Sequence, residues 1–168
     1  MTDLSLTILK EGADDAVEIE RLNERTFGPG RHAKTAYRIR EGVGHELDLS
    51  FTARIGTLLV GSVRLSPILI GATPALILGP LAVEPPFRER GIGQTLVERA
   101  LAEARKQSHR LVVLVGDEPY YAKAGFKRIP EGRATMPGPV DSNRLLVAEL
   151  VPGAFEGVSG PVRANPRR

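Results

Sequence analysis

Two arginines and two glycines are packed into Arg88-Glu-Arg-Gly-Ile-Gly93, at the start of a stretch with helical periodicity. Each residue type suits one task there. Arginine is a cation with several fixed donors, matched to phosphate oxygens. Glycine has no side chain, so a ligand can approach the main chain. Ile92, Leu96, Val97, Ala100, Leu101 and Ala104 then fall on one helical stripe, with Gln94, Glu98, Arg99, Glu103 and Arg105 facing away. A helix beginning here presents unpaired N–H groups and the positive end of its dipole, which attract phosphate. The stretch therefore reads as a pyrophosphate cradle. Spacing alone also allows an ordinary strand–helix turn whose arginines sit in solvent.

The flanking elements must position this turn. Ala75 to Val83 is an apolar run of strand length that leads into it. Glu84-Pro85-Pro86 stops the strand, because proline has no N–H for a sheet ladder and restricts the residue before it. Two other phosphate motifs are excluded. A dinucleotide fingerprint follows its strand directly and needs a third glycine at position 96, where Leu96 stands. A P-loop needs Gly-Lys-Ser or Gly-Lys-Thr, which does not occur. Downstream, Leu111 to Val115 is a short valine-rich run suited to a strand buried on both faces. Gly116-Asp-Glu-Pro119 then turns the chain into a short helix that Gly125 ends.

Earlier in the chain, Leu4 to Leu9 alternates and predicts a half-buried strand. Asp15 and Glu18 predict a capping box on a helix running to about Arg25, with Ala16, Ile19 and Leu22 inward. Arg31 to Glu41 predicts a second helix with Ala33, Ala36 and Tyr37 on one side. Leu47–Ile55 and Thr57–Leu65 flank Gly56 as a β-hairpin, whose second strand can continue towards Ile70. After the short helix, Phe126 to Ile129 reads as a strand, Gly132 to Asn143 as a loop and Arg144 to Leu150 as the final strand. Residues 1–151 then form one domain, and 152–168 a tail rich in proline and glycine.

This order predicts an α/β or α+β domain with a mixed, mainly antiparallel sheet flanked by helices. Its one parallel pair is Ala75–Val83 with Leu111–Val115, joined through the cradle helix by a right-handed crossover. Gly79-Pro80 is a candidate bulge in the first of these strands.

Composition narrows the function. At 168 residues, 42% hydrophobic and 26% charged, the chain suits one globular domain. The absence of cysteine excludes disulfides, a thiolate nucleophile and cysteine metal sites. MTDLSLTILKEG lacks the pattern of a signal peptide. The uncharged run Ile68–Val83 is short for a membrane span and is broken by Gly71, Pro74, Gly79 and Pro80. A cytoplasmic protein is expected, with no membrane partner. The net charge is +3, of which residues 152–168 supply +2 through three arginines and one glutamate. No basic run is interleaved with aromatics, so nucleic acid is not expected as a partner.

Val83 to Gly93, with the pattern V-x-P-x-x-R-x-x-G-I-G, resembles motif A of the GNAT N-acetyltransferases. Tyr121-Ala-Lys-Ala-Gly-Phe126 is similar to the family's Y-x-x-x-G-F segment. With GPLAV, VGDEPYY and MPGPVD, the chain looks most like the YhbS-like acetyltransferases. The resemblance is strong over about residues 76–129. It implies the GNAT, or acyl-CoA N-acyltransferase, fold, in which the parallel strands splay and the pantetheine arm lies between them. It implies acetyl-CoA as the acyl donor, held by Leu81, Ala82, Val83, Arg88, Arg90, Gly91, Ile92, Gly93, Gln94 and Thr95, and no metal. Dimers are common in that family, which makes a homodimer an option.

The same resemblance implies direct transfer of acetyl to an amine, and the lack of cysteine agrees because no cysteine-bound acetyl intermediate can form. The oxyanion of the tetrahedral intermediate needs a donor, which backbone N–H groups near Leu81–Val83 can supply. The leaving thiolate needs a proton. Tyr121 stands four residues before Gly125, where the family's general-acid tyrosine stands, and a phenol is protonated at neutral pH. Packing against the cofactor, or a site occupied by Tyr120 instead, are the other readings. For the base, Glu84, Glu24, Asp117, His32, His45 and His109 are all open, and none is singled out. Arg31, His32, Lys34, Arg38 and Arg40 form either a solvated basic face or, as the family's acceptor-covering region, a wall favouring an acidic acceptor. The acceptor amine itself carries no readable motif. The other function class is a GNAT-like module that binds acyl-CoA without turnover.

Overall fold

Strand length and strand edges decide the architecture of the computed structural model, which describes residues 5–28, 30, 35–41 and 44–166. Strands β1 (Leu6–Lys10), β2 (Phe51–Ile55), β3 (Leu58–Ile70) and β4 (Thr73–Val83) form an antiparallel run. Gly56 and Gly71 take positive φ in the turns on either side of β3, where a left-handed residue lets the chain reverse. Strand β5 (Leu111–Val115) pairs parallel with β4, and β8 (Leu145–Glu149) pairs antiparallel with β5. The sheet order is β1-β2-β3-β4-β5-β8-β6, with β6 at Lys127–Arg128. Two short strands lie off this path: β7 (Ala134–Thr135) and β9 (Gly160–Ala164).

Helix α3 (Ile92–Lys106) makes the crossover from β4 to β5. Its expected stripe is its buried face: Ile92, Leu96, Val97, Ala100, Leu101 and Ala104 all join the main core with Val63, Leu65, Leu78 and Leu114. Leu96 is fully buried, so truncation to alanine there would cost about 2–5 kcal/mol. The opposite sheet face is covered by α1 (Ala16–Phe27) and α2 (Thr35–Glu41). Ile19 and Leu22 pack on Leu59 and Ala82, and Ile39 packs with Ile68, Ile77 and Val113.

Several boundaries differ from the sequence expectation, each for a local reason. The first strand is described from Leu6 to Lys10, with Leu9 exposed, and Leu4 of the expected strand lies outside the described residues. The capping box between Asp15 and Glu18 does not form. Asp15 accepts from the Gly12 N–H at 2.8 Å, and both carboxylates bind Arg54 across the sheet edge. Ala16 is exposed, and Asn23 takes the inward place. Leu47–Leu49 is a 3-10 turn, so the hairpin begins only at Phe51. The strand expected over Phe126–Ile129 shortens to Lys127–Arg128, and the loop over 132–143 carries β7. The cradle helix starts at Ile92 rather than Arg88, because Pro85–Phe87 forms a 3-10 turn first. Of the expected second helix, Arg31, His32, Ala33 and Lys34 lie outside the described residues.

The largest difference is at the C-terminal end. Arg144–Leu150 is not the last strand. β9 follows it, pairs with β3 at Ile68–Ile70 and with β7 at Ala134–Thr135. It takes the edge of β3 beyond the point where β2 leaves it at Val63. Ala154, Phe155, Val158 and Val162 are buried in the same cluster as Val113. Arg133 ties the segment down, donating to the carbonyls of Phe155 and Val158 and lying over the Phe155 ring at 4.2 Å. The proline and glycine content that sets residues 152–168 apart in sequence does not set the described part, 152–166, apart in packing.

Candidate active site

The parallel pair holds over a short length only. Leu76 pairs with Val112 and Ile77 with Val113, after which β4 and β5 part. The cause lies in β4. Leu65 pairs with Leu78 and Val63 with Leu81, so two residues of β4, Gly79 and Pro80, stand opposite one of β3. This is the expected bulge. Gly79 has φ +132, a conformation open to glycine but strained for other residues. Beyond the bulge β4 is paired only on its β3 side, so alternate backbone N–H groups face the gap.

A cleft of about 530 Å3 fills that gap. Leu78 to Leu81 form one wall and Val115 to Asp117 the other. Tyr121 lines it, with its ring against Gly116, where any side chain would collide, and edge-on to Phe126 at 5.9 Å. Burial pushes the Tyr121 phenol up to about 12, helped by Tyr120 and the Asp117 charge and opposed by Arg144. It is therefore a protonated donor at neutral pH. Across the cleft stand Thr35, Ala36 and Arg40 of α2 and Pro139, Val140 and Asp141 of the loop after β7. Thr35 Oγ1 donates to the Pro139 carbonyl at 2.9 Å and joins these two walls.

A second groove, of about 670 Å3, runs to the N-terminus of α3. Glu89 and Gly91 both take left-handed φ, +65 and +81, and turn the chain sharply into the helix. Leu81, Val83, Arg88, Gly91, Ile92, Gly93 and Gln94 line the groove, together with Lys123. Space at Gly91 is open, whereas a side chain at Gly93 would strike the Tyr120 hydroxyl. Gly93 thus admits a protein side chain as well as leaving main chain accessible. Gln94 Nε2 donates to the Tyr120 carbonyl at 2.8 Å and locks α4 (Glu118–Tyr121) to the helix start. Arg88 Nε donates to the Val83 carbonyl at 3.0 Å, which holds its guanidinium at the groove.

Three residues of the expected cofactor set do not line this groove. Ala82 faces α1 in a buried cluster, Thr95 donates its hydroxyl to the Gly91 carbonyl at 2.9 Å, and Arg90 stacks over Phe87 at 5.4 Å. Among candidate bases, Glu84 is held by Arg25 at 3.2 Å and Glu24 is exposed outside the cleft. Asp117 lines the cleft and pairs with Arg144 at 3.5 Å. His45 is bonded to Glu11, His109 is half-buried behind α3 with its pKa lowered by burial, and His32 lies outside the described residues. Of the basic segment, Arg40 reaches the cleft and Arg38 does not. Phe27, Lys123, Val140 and Asp141 are pocket residues that sequence reasoning did not assign. Lys123 had a signal, since it sits two residues after Tyr121 and faces a helix N-terminus.

Residues 46–128 match the acetyltransferase (GNAT) domain family. The chain carries a GNAT acetyltransferase domain. It is 29% identical over 150 residues to the uncharacterized N-acetyltransferase YhbS of Escherichia coli, covering 88% of this chain and 89% of that one. The crystal structure of Escherichia coli YhbS in complex with CoA superposes with a TM-score of 0.82 at 26% identity, covering 98% of this chain and 92% of the other. A GNAT family acetyltransferase from Brucella melitensis, solved with acetyl-CoA, gives 0.63 at 26% identity, covering 91% and 99%. The domain is thus an acyltransferase of the GNAT fold. Its mixed sheet with the β4–β5 parallel pair and flanking helices agrees with the expectation from the sequence. Among the described residues no helix is long and apolar enough to cross a membrane, and no three His, Asp or Glu cluster as a metal site.

Proposed function

We propose that the protein transfers acetyl directly from acetyl-CoA to an amine. One observation carries this reading: Phe27, Leu81 and Tyr120 line both the groove at the α3 N-terminus and the cleft between β4 and β5. A single elongated ligand can therefore lie with phosphates at one end and a reactive group at the other. The unpaired N–H groups of α3, Arg88 and Lys123 suit the pyrophosphate. The arm would run along Leu81–Val83 into the cleft. Backbone N–H groups on the free side of β4 suit the oxyanion of the tetrahedral intermediate.

Tyr121 has the chemistry of the proton donor to the departing thiolate. Attack by the amine nitrogen forms the C–N bond, the C–S bond breaks, and the thiolate takes the phenolic proton, which the nitrogen's surplus proton restores. The acceptor faces a wall of mixed sign, Arg40 and Arg144 with Asp117 and Asp141, so charge does not select an acidic acceptor. A cytoplasmic location is part of the proposal, because the donor thioester is an intracellular metabolite.

The test is release of free thiol from acetyl-CoA across a panel of small amines and peptides. Amine-dependent release that Tyr121→Phe abolishes supports the reading. Tight acetyl-CoA binding with no release for any amine contradicts turnover and favours a non-catalytic acyl-CoA-binding module.

A further inference from the structure

A buried ionic cluster lies behind the cleft, on the sheet face covered by α1 and α2. Arg64 donates to both oxygens of Glu11 at 3.1 Å each, and to Glu20 at 3.0 Å. Glu11 and Arg64 are 4% and 8% exposed. His45 Nε2 meets Glu11 Oε2 at 2.8 Å. Arg64, Glu20 and His45 line a chamber of about 160 Å3 with Ser66, Arg40, Gly44 and Pro80, and Glu11 stands behind it. Arg40 and Pro80 also line the transfer cleft, so the two spaces share a wall at the β4 bulge.

We propose that His45, oriented by Glu11, accepts the proton that the acceptor ammonium must shed, by way of water in this chamber. The inference rests on the acetyltransferase reading. Stoichiometry requires an exit: an alkylammonium and acetyl-CoA give an amide, a free thiol and one surplus proton. The nitrogen loses two protons, one of which ends on the thiolate and the other in solvent. The carboxylates that line the cleft are committed elsewhere, Asp117 to Arg144 and Asp141 to the Asn143 N–H. Glu84 is committed to Arg25.

The chamber has the parts an exit needs. Burial pushes the Glu11 pKa up, but the hydrogen bonds from His45 and Arg64 and the Arg64 charge outweigh it and hold the carboxyl ionised. An ionised carboxylate at Nε2 fixes the tautomer with a proton there and leaves Nδ1 as an acceptor. Ser66 Oγ is fully buried with no protein partner among the described residues, and a hydroxyl in that state takes a water. His45 keeps 24% of its side-chain surface exposed, so the proton can pass on to solvent. The other charges facing the imidazole across the chamber are Arg64, Glu20 and Arg40. The Arg40 charge disfavours an ammonium in the cleft and so aids its deprotonation.

The experiment uses the full chain and its His45→Gln and Ser66→Ala variants. Acetyl-CoA affinity should be unchanged in both, which checks the fold and the donor site. Transfer is then measured against pH with benzylamine, and with the much less basic aniline, which is already neutral. His45→Gln should slow benzylamine acetylation on the order of a hundredfold and move its acidic limb towards the amine's own pKa, while leaving aniline little changed. Ser66→Ala should show the same selectivity more weakly. Equal slowing of both amines, or an unmoved pH profile, overturns the proposal. Long-range 1H–15N NMR of the imidazole gives an answer without any acceptor. An Nε2–H tautomer is expected, and an Nδ1–H tautomer overturns the route. A wild-type protein that does not bind acetyl-CoA fails the acetyltransferase reading instead.

Discussion

Tyr120 and Tyr121 stand edge to face with ring centroids 4.9 Å apart, yet of the two only Tyr120 lines both the groove at α3 and the cleft between β4 and β5. Tyr121 lines the cleft alone, beneath Gly116 and beside Phe126. The two phenols therefore have separable effects. Tyr121→Phe keeps the ring packing and removes the donor. It should lower kcat on the order of a hundredfold or more, with acetyl-CoA affinity retained in a calorimetric titration. Tyr120→Phe removes a hydroxyl over Gly93 and should act chiefly on acetyl-CoA affinity.

The pH profile carries a second expectation. Burial, before the nearby Tyr120 and Asp117, pushes the Tyr121 phenol up to about 12. A raised pKa keeps the protonated donor populated to higher pH. From about pH 7 to about pH 10, kcat should show no alkaline decline from this group. A decline centred near the ordinary phenol value, absent in Tyr121→Phe, would contradict the raised pKa.

Arg88 and Arg90 differ although they stand two residues apart. Arg88 lines the groove and is anchored to the Val83 carbonyl, while Arg90 stacks on Phe87. Arg88→Ala should weaken acetyl-CoA binding by about tenfold, and Arg90→Ala by less. Lys123→Ala should resemble Arg88→Ala, since Lys123 also lines the groove. Both losses should shrink as salt is raised, because exposed charge contacts are screened. Titration at two ionic strengths measures this.

Glu11 and Arg64 are a buried pair, and removing the Glu11 charge leaves Arg64 with the far more exposed Glu20 as its remaining carboxylate. Glu11→Gln should cost about 3–5 kcal/mol and lower Tm by about ten degrees. Burial alone would raise the Glu11 pKa, but His45 and Arg64 hold it below its usual 4.5. A depressed folded pKa means that this stabilisation is complete above the unfolded value and is lost as pH falls through the folded one. Wild-type Tm should therefore drop below about pH 4.5, and Glu11→Gln should lose the part of that slope due to this group.

The buried face of helix α3 was legible in the sequence, because its apolar stripe repeats over several turns and tertiary packing uses that same stripe. The bulge at Gly79-Pro80 was legible for a different reason: neither residue suits an uninterrupted central strand. Asp15 misled, since its capping pattern competes with Arg54, a partner brought from the neighbouring hairpin. β9 misled more. It is five residues long in a segment rich in proline and glycine, and its partners Ile68–Ile70 lie far away in sequence.

The site divides the same way. The groove at α3 is largely local in sequence, from Leu81 to Gln94, so spacing and motif register reach it. The cleft between β4 and β5 gathers Phe27, Arg40, Val140 and Asp141 from distant segments, and no spacing rule joins them. Lys123 lies within the Tyr121–Phe126 segment, and the turn of the chain there brings it to the groove.

The central claim is that the groove at α3 and the cleft between β4 and β5 hold one acetyl-CoA. Calorimetric titration of the full chain tests it most directly, with NADH as a comparison nucleotide and desulfo-CoA as a probe of the reactive end. The account predicts a single acetyl-CoA site of micromolar affinity, weakened by Arg88→Ala, with no measurable heat from NADH. Absence of acetyl-CoA binding, or binding that Arg88→Ala and Lys123→Ala together leave unchanged, would contradict it.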